Sequence, residues 1–271
     1  MTSPTSDRDW IAPERPDLVW FHGADALRFL DDLISQELED MAIGETRRSF
    51  LLEPQGKLRF LLWVLREDDR LGLLTDSGRG AELAEALGRY RIRVDVEIEP
   101  EPGGVWIVMG PWEGYDVSWA AMNRHLVVGD RPDLDEGLLD EYERLRILSG
   151  EPRWGVDVDG DTIPHESGLV TVSVDFEKGC FLGQELVARM DSRGANPPRS
   201  LRLLETDGPI AAGDVVSVEG VEVGMVTSAT EGAGLAMLKR TVSVGDSVDV
   251  GGRRAIVREL PIRSNPQFTV S

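Results

Sequence analysis

The first 150 positions alternate continuous apolar runs with apolar stripes. Leu18-Val19-Trp20-Phe21 reads as a short buried strand ending at Gly23. Leu27, Leu30, Ile34, Leu38 and Met41 then recur at spacings of three and four, which predicts one helix with Asp25 as its N-cap. Leu58 to Leu65 is a near-continuous apolar strand, Glu67 to Arg70 makes a turn, and Leu71 to Leu74 returns. Asp76 or Ser77 caps a second helix with Leu83, Ala84 and Leu87 inward. Ile92, Val94, Val96 and Ile98 alternate with charged positions, the pattern of a half-buried strand. Val105 to Met109 forms another strand, and Leu134, Leu138, Tyr142 and Leu145 mark a third helix. Residues 1–17, with three prolines, read as a loose arm.

From Leu201 the helical period disappears. Short alternating runs separated by glycine turns predict about six strands and a small antiparallel barrel. Gly213-Asp214-Val215-Val216-Ser217-Val218-Glu219-Gly220 and Gly245-Asp246-Ser247-Val248-Asp249-Val250-Gly251-Gly252 share one pattern, a turn feeding a short strand. Asn196-Pro197-Pro198 reads as the linker before this unit. The fold class is therefore α+β with a C-terminal antiparallel β-barrel.

Composition narrows the function. The 271 residues suffice for two or three structural units. The net charge of −20 repels phosphate backbones and anionic lipid, which argues against direct nucleic-acid or membrane binding and leaves room only for a small local basic site. No apolar run is long enough to span a bilayer. The opening MTSPTSDRDW does not read as a signal peptide, so a cytoplasmic location is expected. One cysteine, Cys180, permits no intrachain disulfide. His22, His125 and His165 have no ligand-like spacing, so no metal site is expected.

Residues 170–190 carry the candidate chemistry. Val170, Val172, Val174 and Phe176 alternate as a strand; Lys178-Gly179 turns the chain; Leu182, Leu186 and Met190 then share a helical face. Cys180 thus precedes a helix start, where free amide protons and the charge of Lys178 would lower a thiol pKa. Lone cysteines are usually small buried hydrophobes, and local chemistry by itself favours that reading slightly.

Lys178-Gly179-Cys180-Phe181-Leu182-Gly183-Gln184-Glu185 closely resembles the K-G-C-[FY]-x-G-Q-E signature of the YgfZ family, relatives of the aminomethyltransferase T-protein of glycine cleavage. Phe21 to Leu30 is similar to that family's G-x-D-A-x-x-F-L opening, and Pro54-Gln55-Gly56-Lys57 to its P-Q-G-[KR] turn. Arg146, Gly150 and Pro152 match its R-x-x-x-G-x-P stretch, Pro164-His165-Glu166 its P-x-E element, and Gly224 to Ser228 its G-x-V-T-S strand. The likeness spans roughly residues 18–260, so it does not rest on one short motif.

The resemblance implies three units around a folate-size central opening: residues 1–48 with 112–198, residues 49–111, and the barrel at 199–271. It implies tetrahydrofolate or another reduced folate as ligand, iron–sulfur client or assembly proteins as partners, and support of iron–sulfur enzymes, including those that modify transfer RNA. Glu166 takes the place of the glutamate that reads the pterin, a role suited to a carboxylate that accepts two parallel hydrogen bonds. Arg199 matches a region near the folate tail, and Lys178 and Gln184 belong to the signature around the ligand. Cys180, with Lys178, is the candidate reactive group, its role open between transient cluster ligand, redox group and folate contact. One thiol cannot hold a cluster unaided. The T-protein's essential acid falls at Arg59 here, and a guanidinium cannot act as a general base, so folate-dependent aminomethyl or one-carbon transfer is the lesser alternative.

Overall fold

The computed structural model describes residues 8–194 and 196–262. In chain order the elements are β1 (Trp10–Ile11), β2 (Asp17–His22), α1 (Ala26–Asp31), β3 (Thr46–Leu52), β4 (Leu58–Arg66), β5 (Arg70–Thr75), α2 (Gly80–Gly88), β6 (Glu97–Pro100), β7 (Gly104–Met109), β8 (Tyr115–Asp116) and β9 (Arg124–Gly129). There follow α3 (Leu139–Leu148), a 3-10 turn (Pro164–Ser167), α4 (Val170–Ser173) and α5 (Gln184–Ser192). The last part holds β10 (Arg199–Thr206), β11 (Val215–Val218), β12 (Val221–Thr230), β13 (Ala233–Lys239), β14 (Ser247–Val250) and β15 (Arg253–Arg258).

β3-β4-β5-β2-β6 form a five-stranded antiparallel sheet. One face, with Val19, Phe21, Phe60, Leu62 and Leu73, packs under α1 and α2. The other, with Leu18, Trp20, Phe50, Leu61 and Leu74, packs toward Ile107, Met109 and Leu126 of the second sheet, β1-β7-β9-β8. Burial on both faces explains why β4 is a continuous apolar run rather than an alternating one.

The barrel is closed by six strands in the order β10-β13-β12-β11-β14-β15. Its two similar segments are structurally equivalent. The Gly213 and Gly245 amides each donate 2.8 Å bonds, to the Val226 and Val257 carbonyls, and the Asp214 and Asp246 carboxylates accept from the Ala211 and Ser243 amides. Their strands, β11 and β14, then pair with each other.

Four expectations are corrected. The stripe 27–41 is helical only over α1, after which Ser35 N–H bonds the Phe50 carbonyl and the chain joins β3; Asp25 caps nothing and accepts the Asp95 amide instead. In the alternating stretch 92–98 only β6 pairs, because Arg93 takes φ 58° and Ile92 is exposed. The expected strand from Val170 is the single-turn α4. Val170 and Val174, four apart, satisfy both periods, and both are buried in the same core. Trp10–Ile11 of the expected loose arm pairs with β7, while positions before Arg8 lie outside the described residues. The division at 48/49 falls inside β3, which pairs with β4, and that at 111/112 falls within the second sheet. No described helix is long and apolar enough to cross a membrane.

The barrel is joined to the rest by buried charge. Arg146 of α3 donates to Asp157 (2.8 Å), to the Glu151 carbonyl (2.6 Å) and to the Ser228 hydroxyl (2.8 Å). The other Asp157 oxygen accepts from the Thr227 and Ser228 hydroxyls at 2.6 and 2.7 Å. Two resembling motifs, the arginine stretch and the V-T-S strand, therefore meet across one carboxylate. Asp157→Ala takes the buried counter-charge from Arg146, which keeps only that of the partly exposed Glu143 at 3.1 Å, and removes the acceptor of the Thr227 and Ser228 hydroxyls. The expected loss is about 2–4 kcal/mol of unfolding free energy, read from urea denaturation.

Candidate functional site: the thiol loop and the Glu166 turn

Residues 174–183 form a loop held at both ends. The Asp175 amide donates to the Ser35 carbonyl, and the Asp175 carboxylate accepts the Glu177 and Lys178 amides. The Lys178 side chain then turns fully inward, with 0% exposure. Its Nζ donates to the carbonyls of Asp31 (2.7 Å), Ile34 (3.1 Å) and Gln36 (2.8 Å) and pairs with the Asp31 carboxylate at 3.1 Å. An ammonium has three protons, so these acceptors saturate it. A cation at a helix C-terminus also suits the free carbonyls there. Lys178 therefore anchors the loop to the end of α1. Its ammonium is committed to these acceptors, where the sequence suggested a place beside the thiol.

The far end of the loop is fixed by two glycines. Gly183 (φ 78°) and Gly56 (φ 83°) sit where L residues are strained. A Cβ on Gly183 would lie 2.5 Å from the Glu53 carbonyl oxygen, and one on Gly56 would lie 2.5 Å from Leu186 Cβ. The P-Q-G-K turn and the L-G-Q-E turn thus interlock. The Gln184 side-chain oxygen accepts the Phe181 amide at 3.1 Å, so part of its amide is committed to the start of α5. Among these neighbours Cys180 alone is left with an exposed thiol, contrary to the buried reading.

The 3-10 turn adjoins the same turn. Leu58 N–H donates to the Thr162 carbonyl, and Lys57 pairs with Asp161 at 2.6 Å. Glu166, 4% exposed, bonds back to the Ile163 amide (3.1 Å) and accepts Arg199 Nε at 2.9 Å. The structure thus brings Glu166 and Arg199 together as a pair and leaves Arg199 half-exposed, at 42%. Lys178 and Gln184 belong to the thiol loop instead.

A central cavity of about 90 Å³ lies between the two sheets and α3. Arg48 spans it, its guanidinium 4.9 Å from the Trp63 ring centre and 4.6 Å from that of Trp119. Arg48 and Arg124 donate to one Glu151 oxygen at 2.6 and 2.7 Å. Burial alone would raise the Glu151 pKa; the two guanidiniums outweigh it and hold the carboxyl below the usual range. Asp76, in the same wall, is pushed up by burial. The space matches about three waters, against about 300–1,000 Å³ for drug-sized ligands. Arg59 pairs with Glu53 at 3.3 Å, on the same pleat of β4 as the cavity-lining Leu61 and Trp63.

Residues 199–261 match the family model described as the CAF17 C-terminal beta-barrel domain. The mouse iron–sulfur cluster assembly factor IBA57 is 32% identical, over 82% of this chain and 75% of its own length. The chain belongs to the IBA57/YgfZ family. Another IBA57 homolog, from Cryptococcus neoformans, is 29% identical over 68% of this chain, and the chain spans 64% of that relative's length. The tRNA-modifying protein YgfZ of Vibrio vulnificus is 27% identical over 73% of this chain and 57% of its own. The fold is that of the glycine cleavage aminomethyltransferase T of Bartonella henselae: TM-score 0.82 at 19% identity, covering 93% of this chain and 86% of that one.

In this IBA57/YgfZ chain the Arg48–Glu151–Arg124 cluster escaped the sequence reading. The signal for it was present. Arg47-Arg48 lies near the start of a strand that runs on into Phe50-Leu51-Leu52, and a charge inside a buried strand needs a partner. The family signature itself yields a stability prediction. Lys178→Met strands three carbonyls, and Gly183→Ala forces a Cβ onto backbone. Each is expected to lower unfolding free energy by about 2–4 kcal/mol in urea titrations, whereas Cys180→Ala, at an exposed position, stays within about 0.5 kcal/mol of the parent.

Proposed function

We propose that this chain is an accessory factor for iron–sulfur cluster assembly or repair that presents Cys180 to a partner protein and binds a reduced folate, tetrahydrofolate. The observation that carries the reading is the division of labour in the signature. Lys178, Gly183 and Gln184 hold the loop in place, and the exposed thiol between them has no holding role. A fixed, accessible thiol suits contact with a second set of ligands. A cluster needs several thiolates or histidines, so the remainder must come from a partner or a small thiol. The names of the IBA57 relatives support the cluster-assembly part.

For the folate, the candidate contacts are Glu166 and Arg199. Glu166 now holds Arg199, so reading a pterin exchanges Arg199 Nε for the ligand's own N–H donors and frees the guanidinium for the carboxylate tail. Neither residue lines the central cavity of about 90 Å³, so a folate held by Glu166 and Arg199 would extend into that cavity only with movement of the side chains lining it, Arg48 foremost. Client enzymes would include those that modify transfer RNA, served without direct contact to the nucleic acid, in keeping with the net charge of −20. A cytoplasmic location belongs to the same proposal. Aminomethyl transfer gains no support, since the position of the required acid holds Arg59 in its pair with Glu53.

Two measurements separate the parts. In cells lacking the endogenous protein, Cys180→Ala is expected to accumulate as folded protein yet fail to restore the activity of iron–sulfur enzymes; full restoration refutes the thiol role. Tetrahydrofolate is expected to change tryptophan fluorescence and raise the melting temperature of the purified chain, less so in Glu166→Gln. A flat titration in both readouts removes folate and leaves the thiol role standing.

A further inference from the structure

The chain carries a net charge of −20, yet one cavity in it has no carboxylate side chain in its lining. It holds about 190 Å³ between the 3-10 turn and the rim of the barrel. Its charged lining is cationic: Arg202 of β10, Lys239 of β13 and, just beyond, Arg240. Among the described residues none of these three is in an ion pair. Lys239 gives one proton to the Glu222 carbonyl, and Arg202 reaches only the Leu201 carbonyl, at 3.4 Å. Ser200 adds a hydroxyl on the same pleat as Arg202, opposite to Arg199, so the cavity is separate from the Glu166 pair.

The wall also contains unpartnered polar atoms. His165 is 9% exposed, and neither ring nitrogen has a hydrogen-bond partner. Arg202 Nε is likewise buried without one. Buried polar atoms nearly always find partners, so several orphans around one basic cavity mark a place where a ligand completes the set. Burial holds His165 below its ordinary pKa, with Asp191 of α5 acting weakly the other way. The ring is therefore neutral near pH 7 and offers one N–H and one lone pair.

We propose that this cavity binds the phosphate group of a small molecule. Three unpaired cations match a dianion better than a single carboxylate, and guanidinium forks bond two oxygens of a tetrahedral oxyanion at once. The volume takes a phosphate with room for a few further atoms, so the occupant is inorganic phosphate or the phosphoryl end of an ester whose remainder extends past the exposed Lys239 and Arg240. The surrounding negative charge suppresses diffuse anion binding and confines it to this place.

The test uses the full chain, with calorimetry and thermal melting in inorganic phosphate, in glycerol 3-phosphate, and in potassium chloride at equal ionic strength. Phosphate or its ester is expected to bind and to raise the melting temperature, while chloride does neither; the tighter of the two names the source. Arg202→Gln and Arg240→Gln are each expected to weaken binding about tenfold or more. Arg240 is exposed, so its variant keeps the test decisive if Arg202→Gln does not fold. The nitrogen resonances of the His165 ring should shift on adding phosphate. A chloride effect equal to that of phosphate, or variants that bind like the parent, overturns the proposal.

Discussion

Two guanidiniums sharing one buried carboxylate hold the centre of this molecule. Arg48 comes from the five-stranded sheet, Arg124 from the four-stranded sheet, and Glu151 from the segment that leaves α3. Removing Glu151 leaves two buried guanidiniums facing each other without a counter-charge, and removing either arginine cuts one sheet off from the shared carboxylate, so the pairing holds the three elements together. Arg146 and Asp157 continue the same device to the barrel. Everything downstream, the Glu166 turn and the thiol loop included, is positioned by the segment that these charges fix.

The interlocking of the motif segments follows. The P-Q-G-K turn meets the segment leading into the 3-10 turn, where the Leu58 amide donates to the Thr162 carbonyl, and meets the thiol loop through facing glycines. Most signature residues thereby acquire steric or hydrogen-bonding reasons for their identity. What remains without a holding role is small: an exposed sulfur, and the half-exposed guanidinium of Arg199 beside the buried Glu166 carboxylate.

Much of the fold was legible in the sequence because burial imposes simple periods. The apolar run of β4, the returning β5, the inward Leu83 and Leu87 of α2, and the barrel with its paired Gly-Asp turns all read directly. The stripe at 27–41 misled because its leucines are buried in one core whether or not the backbone is helical. Val170 and Val174 misled because a spacing of four belongs to both periods. At the site, the family likeness singles out Cys180, Glu166 and Arg199 but not the pairing of Glu166 with Arg199, since it places the two at opposite ends of a ligand. Nor does it give the direction of Lys178, since a lysine beside a cysteine carries no sign of three carbonyls waiting some 140 positions earlier in the chain.

That distance has a consequence for synthesis. The ammonium of Lys178 reaches back 142 to 147 positions to find its acceptors. A growing chain completes the first helix long before its anchor exists, and the carbonyls wait open until the loop emerges. The exposed sulfur therefore takes its final posture only after both distant segments have met, which makes that posture a mark that the first helix and the loop have closed on each other.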